Sequence, residues 1–219
     1  MILREKIGVL EMEDKTIERL GKVGLVGRFK PFHLGAYRLL EAACKQADHV
    51  VIGIGSSNKY NLRNPFTAEE SEAMIRAALD FDNYEIIHVP DSGHILEYSD
   101  GKKWKQVIKE KFGKLDYFVS GNDYVRSLLE DEYSLLEPWE IVPEENRIKL
   151  RASRVRLEMA KFGRWEELVP KPVDKYLSDN GVVDRFRREF GLQTLADLAE
   201  VNLDDDETLC EEKLHTGEV

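Results

Sequence analysis

The spacing of apolar positions along this chain alternates between two periods from residue 23 to about 176. Short continuous apolar runs at 23–27, 49–55, 84–89, 115–119 and 139–142 predict strands. The run Val50-Val51-Ile52 suits a sheet covered on both faces. Between the runs the spacing turns helical. Leu39, Leu40, Ala43 and Ala47 mark a helix over 36–47, and Ala73, Met74, Ala77 and Ala78 one over 68–80. Trp104, Val107, Ile108 and Phe112 mark a third over 102–112. Such alternation predicts an α/β fold with a doubly wound parallel sheet and right-handed crossovers. Val155, Met159 and Phe162 share a face of a further helix over 152–162, with Gly163 as its stop. Pro172 suits the first turn of a helix reaching about Asn180. The predicted domain spans 23–180, and a charged helical extension follows over 181–203.

The two ends are patterned differently. In residues 1–22, an N-terminal extension, Ile2, Leu3, Ile7, Val9, Leu10, Ile17 and Leu20 stand among charges, which fits a small helix or a hairpin equally well. Residues 204–219, with Asp204-Asp205-Asp206-Glu207 and Glu211-Glu212, read as a disordered acidic tail.

Composition narrows the partners. The 219 residues carry a formal net charge of −10, which argues against general binding to nucleic acid or to an anionic membrane. A local cationic pocket within such a chain would suit a small phosphorylated ligand. Cys44 and Cys210 lie far apart without metal-ligand spacing, so a reducing cytoplasm is the expected location, a disulfide between them being the alternative. No stretch has the length of a membrane span, and the first residues lack the apolar core of a signal peptide. No metal site is expected in the protein itself.

The chemistry concentrates where strands end. In an open parallel sheet, ligands sit beyond the carboxyl ends of the strands. The first strand runs into Gly27-Arg28-Phe29-Lys30-Pro31-Phe32-His33-Leu34-Gly35, ahead of a helix. Glycine lets backbone approach an anion, and a helix start offers free N–H groups and positive dipole. Arg28, Lys30 and His33 would add cationic or hydrogen-bonding side chains. The second strand leads to Gly53, Gly55, Ser56, Ser57 and Asn58, and the fourth to Ser120-Gly121-Asn122-Asp123. That last turn also reads as an ordinary strand-to-helix turn with Asn122 as N-cap. After the fifth strand comes a basic run, Arg147, Lys149, Arg151, Arg154 and Arg156, of which one or two can face a phosphate from a single helix. Among the histidines, His49, His88 and His215 show no ligand spacing, and His94 follows a strand end.

The first of these stretches resembles the opening motif of the HxGH nucleotidyltransferase superfamily, nearest to archaeal-type nicotinamide mononucleotide (NMN) adenylyltransferases. Ile52-Gly53-Ile54-Gly55-Ser56, Asn64-Pro65-Phe66-Thr67, Ser120-Gly121-Asn122 and Arg151-Ala152-Ser153-Arg154-Val155-Arg156 follow in the family's order, and Trp165-Glu166-Glu167-Leu168-Val169-Pro170 extends the likeness. The resemblance implies a Rossmann-like fold of nucleotidylyl transferase type with C-terminal helices. It also implies adenylyl transfer from ATP, accompanied by Mg²⁺, to NMN, with a homo-oligomer as a frequent family state. His33, Arg28, Lys30 and Arg156 would take catalytic positions. Gly27, Phe29, Gly35, Gly53, Gly55, Ser56, Gly121, Asn122, Arg151 and Ser153 would line the nucleotide. Trp104 is placed to stack on a nicotinamide ring or, as the helical stripe alone has it, in the core.

Three departures accompany the match. Ala36 stands where the family has its second histidine, and Ser71 where an arginine follows the Asn-Pro-Phe-Thr motif. The last motif opens with Leu150-Arg151 in place of Ile-Ser, and Ser153 replaces its threonine. Changes at these ligand-facing positions point to another phosphorylated acceptor, adenylylated or cytidylylated, or to a nucleotide-binding protein without turnover, as alternatives to NMN adenylylation.

Overall fold

The computed structural model describes residues 19–199. The extension before residue 19, the acidic tail, Cys210 and His215 lie outside the described residues. Five parallel strands form one sheet: β1 (Lys22–Gly27), β2 (His49–Ile54), β3 (Tyr84–His88), β4 (Tyr117–Val119) and β5 (Ser134–Leu136), in the order β3-β2-β1-β4-β5. Helices α1 (Leu34–Gln46), α2 (Ala68–Ala78), α3 (Lys102–Phe112) and α4 (Asp123–Leu129) connect successive strands. The chain steps outward from β1 to β3, then returns past β1 to lay down β4 and β5. The reversal puts a crevice at the carboxyl ends of β1 and β4.

Two-residue periodicity sorts the strands' side chains between two cores. Val23, Leu25, Val50, Ile52 and Ile54 point to one face, where Leu40 and Ala43 of α1 and Met74 and Ile75 of α2 cover them. Val51 and Phe118 point to the other, against Ile108 and Phe112 of α3 and Leu129 of α4. Both faces are dry, which explains the unbroken apolar runs.

The C-terminal half closes the larger core. There α5 (Pro138–Ile141), α6 (Ala152–Ala160), α7 (Lys171–Asp179), α8 (Val182–Phe186), a π-helical turn (Arg187–Gly191) and α9 (Leu192–Ala199) follow. Val155, Met159, Val173, Leu177 and Phe186 all join the cluster that α1 and α2 cover.

The structure corrects several expectations. Residues 139–142 are not a strand. Pro138 takes the first helical turn, and the Glu140 carboxylate accepts from the Glu137 N–H at 2.6 Å, so the segment coils. The fifth strand is the shorter Ser134–Leu136, one connection earlier. Asn122 is the N-cap of α4, as the ordinary-turn reading expects, accepting from Val125 N–H at 3.0 Å. Phe162 leaves the face expected for it. It is 77% exposed, holds the left-handed conformation (φ 58°) that ends α6, and meets the Arg187 guanidinium 4.2 Å from its ring centroid. Cys44 is a buried free thiol whose pKa burial pushes up to about 12, so it is chemically quiet.

Candidate active site

The loop after β1 is shaped by its aromatics. A side chain at Gly27 would lie 2.7 Å from the Phe29 ring, which folds back beneath the strand end. Phe29 itself takes a left-handed turn (φ 54°) and packs edge-on against Phe32 at 5.8 Å. With both rings buried, the polar residues between and after them take defined places. Arg28 stays exposed beside Lys30. Lys30 turns inward and is 1% exposed, its Nζ donating to the carbonyls of Ser56 at 3.0 Å and Lys59 at 3.4 Å. Burial, and then the neighbouring Arg28, lower its pKa to about 8.

His33 caps α1. Its Nδ1 accepts the Ala36 N–H at 3.3 Å, so the neutral ring carries its proton on Nε2, pointing away from the helix. Burial, and then the Arg156 charge, lower its pKa to about 4. The ring is therefore a neutral donor at physiological pH. Gly35 explains the adjoining geometry. A Cβ there would meet the Ile148 carbonyl oxygen at 3.0 Å and that of Leu150 at 3.2 Å. Only glycine lets the 148–150 backbone pass so near the start of α1.

That passage delivers α6. Arg151 is its N-cap residue, and Ala152 and Ser153 form its first turn, where N–H groups have no partner within the helix. Arg156 Nη1 donates to the Lys30 carbonyl at 2.9 Å, locking α6 to the loop after β1. The helix start, His33 and Arg156 thus come together beside the loop that leaves β1, which also carries the exposed Arg28. Two other members of the basic run go elsewhere. Arg147 bonds the carbonyls of Trp139 and Val142, and Arg154 pairs with Glu158 at 3.1 Å.

On the β2 side, Gly55 N–H bonds Gly27 O at 2.9 Å, and Ser56 (φ 49°) turns the chain outward. Ser56 Oγ donates to Asp91 Oδ2 at 3.1 Å, while Asn58 and Asp91 exchange bonds through Asn58's amide and Asp91's backbone. Lys59 Nζ lies 2.6 Å from His94 Nδ1. Gly53 lies under this loop rather than in it, since its missing side chain is replaced by Phe112 and Val26. On the β4 side, Gly121 sits over Pro138, and Arg126 ties the Ser120 carbonyl (3.1 Å) to Glu137 (3.1 Å). Trp104 is half-buried at the margin of the smaller core.

One sequence position behaves differently from its assignment. Ser71 does not face a ligand: it is fully buried on the Ala68, Met74, Ile75 face of α2, and its hydroxyl bonds back to the Thr67 carbonyl at 3.0 Å. Ala36 is half-buried against the larger core. Sequence reasoning also passed over Asp91 and Arg185. Asp91 stands just past β3 and was legible from that position, whereas Arg185 reaches Glu70 from a helix remote in the chain. Among the described residues there is no group of three or more His, Cys, Asp or Glu able to hold a metal ion, and no helix long and apolar enough to cross a membrane.

Known proteins resemble this chain in sequence and in fold. The cytidylyltransferase-like family profile matches residues 25–168. A nicotinamide-nucleotide adenylyltransferase of Methanococcus maripaludis is 31% identical over 166 residues, 75% of this chain and 92% of that protein. One from Thermococcus onnurineus is 32% identical over 168 residues, covering 74% and 84%. A solved bifunctional NMN adenylyltransferase/ADP ribose pyrophosphatase from Francisella tularensis, complexed with AMP and a manganese ion, superposes with a TM-score of 0.57 at 18% identity. That likeness, one of fold, covers 85% of this chain and 56% of the other. With a nucleotide-type sheet, a glycine-backed helix start and a matching profile over most of its length, the chain belongs to the cytidylyltransferase-like family of nucleotidyltransferases.

Proposed function

We propose that this protein is a nicotinamide-nucleotide adenylyltransferase, joining NMN to the adenylyl group of ATP and releasing pyrophosphate. A phosphate oxygen of the mononucleotide attacks the α-phosphorus, and the bond from that phosphorus to the pyrophosphate leaving group breaks. No covalent bond to the protein is needed, so catalysis is positioning plus neutralisation of charge on phosphate oxygens. The observation that carries this reading is the meeting of His33 Nε2–H, Arg156 and the first turn of α6 at one point over β1.

Each group has a distinct task. The N–H groups of Ala152 and Ser153 receive the β- and γ-phosphates, favoured by the dipole of α6. Arg156, fixed by the Lys30 carbonyl, supplies charge without having to reorganise. His33, neutral with its cap bond in place, donates from Nε2 to an oxygen that gains charge as the bond breaks. Magnesium enters with ATP as part of the substrate, held by phosphate oxygens and water, as is usual for this ion. The β2 and β4 loops take the two nucleoside arms, with Ser56, Asn58 and Asp91 offering partners for sugar hydroxyls.

Pyrophosphate release tests the reading. With ATP and NMN, turnover is expected; release only with a different mononucleotide or with CTP overturns NMN adenylylation. One observation favours a second reading, nucleotide binding without turnover: a methyl group at Ala36 where the resemblance places a second histidine. Tight ATP binding with no release from any acceptor would establish it.

A further inference from the structure

Residues 55–67, between β2 and α2, leave the site floor at Gly55 and return at Thr67, the cap of α2. Within that loop, Asn61 and Asn64 close a backbone bridge. Lys30 grips its first part through the Ser56 and Lys59 carbonyls. Its second part is gripped from beyond the region the family profile matches, by α8 and the π-helical turn.

Those contacts converge on one arginine. The Arg185 guanidinium forks onto both oxygens of Glu70, the second at 2.8 Å, and approaches the Pro65 carbonyl at 3.4 Å. It also lies 5.7 Å from the centroid of the Tyr60 ring. Tyr60 bonds Glu189 through its hydroxyl and meets Phe190 edge-on at 5.3 Å, while Phe186 stacks on Phe66 at 5.7 Å. The same segment is anchored to the last turn of α6, where Arg187 Nε donates to the Met159 carbonyl at 2.8 Å. A planar fork on a carboxylate fixes orientation as well as distance.

We infer that residues 182–190 are a strap that sets the 55–67 loop against the active site, with Arg185 as the positioning residue for the substrate bound over β2 and β3. Under the adenylyltransferase reading, on which this clause rests, the triphosphate is held at the start of α6, and we assign the arm over β2 and β3 to the acceptor mononucleotide. Glu70 serves the strap twice. It completes the capping box with Thr67, and it presents its carboxylate to Arg185. The strap joins this loop to α6, so the two substrate arms are held at one relative spacing.

The experiment is steady-state kinetics of Arg185→Met and Glu70→Gln in the full chain, with hydrogen exchange of the 57–67 amides. The expected result is a rise of at least tenfold in KM for the mononucleotide, with kcat and the KM for ATP each within threefold of the parent. The double variant should shift no further than the larger single one, since one ion pair is lost in every case. An unchanged mononucleotide KM overturns the inference, as does an equal fall in activity toward both substrates with a lowered melting temperature. If Arg185→Met does not fold, Tyr60→Phe, which deletes one hydroxyl, must raise the same KM at least threefold. Should the parent show no turnover with NMN, the exchange measurement still decides: amides 57–67 exchanging at least tenfold faster in the variant support the strap, and unchanged rates refute it.

Discussion

His33 does two jobs with two nitrogens, and they can be separated by substitution. The Nδ1 cap bond to Ala36 belongs to the fold, and the Nε2 proton to the phosphate site. Deleting a preorganised donor of this kind costs about 2.7–4 kcal/mol, so His33→Ala should lower pyrophosphate release roughly a hundred- to a thousand-fold. Its titration shows in stability. The folded ring has a pKa of about 4 and the unfolded one near 6.5, so between those values the unfolded chain binds a proton that the folded chain refuses. The native state is therefore at full advantage above about pH 6.5 and loses ground as pH falls toward 4. His33→Asn keeps an acceptor at the cap and removes the titration, and its unfolding free energy should fall less steeply over that range. Ala36→His should raise turnover at least about tenfold if a second donor is what the site lacks; no gain would show that position 36 does not touch the reacting phosphate. Histidine at 33 was legible because glycines and a following helix pattern bracket it. Its tautomer was not, because the cap bond that sets it depends on backbone geometry.

Between elements, the close passages matter most. Gly35→Ala places a methyl 3.0 Å from the Ile148 carbonyl oxygen, so the 148–150 backbone must retreat and take the start of α6 with it. Activity should fall at least tenfold, mostly through the KM for ATP, which titration with ATP at saturating acceptor measures. Lys30 makes the matching tie on the other side, and its pKa of about 8 gives opposite signs for stability and function. Between pH 8 and the unfolded value of 10.5 the native state sheds a proton the unfolded chain keeps, so stability rises with pH there. Over the same rise the ammonium weakens its hold on the Ser56 and Lys59 carbonyls. The mononucleotide KM should therefore climb from pH 7 to 9, and in Lys30→Met it should be high throughout with no such step. The strands β1 to β4 were readable as continuous apolar runs bounded by glycine, serine or charge. The last strand was not, because Ser134–Leu136 has three residues and the more β-like run at 139–142 is turned into a helix by Pro138 and Glu140.

For the whole molecule, the sheet reversal between β1 and β4 collects the chemistry on one edge, and the C-terminal helices brace it. Thr67→Ala removes the hydroxyl that accepts from the Glu70 N–H, one half of the α2 capping box, and should cost about 1 kcal/mol in urea unfolding, while the Glu70 carboxylate keeps both the residue-67 N–H and Arg185. The sequence by itself determined the alternation of strands and helices, hence the parallel sheet, and the placing of Arg28, His33, Ser56 and Ser153 beyond strand ends or at a helix start. These follow from local periodicity and from glycine, which act over a few residues. Only the tertiary structure decided that Arg156 holds the Lys30 carbonyl, that Lys30 points inward, that Ser71 is buried, and that Arg185 grips Glu70. Those pairs are joined by packing across distant parts of the chain, and no local pattern encodes which of many arginines finds which carboxylate.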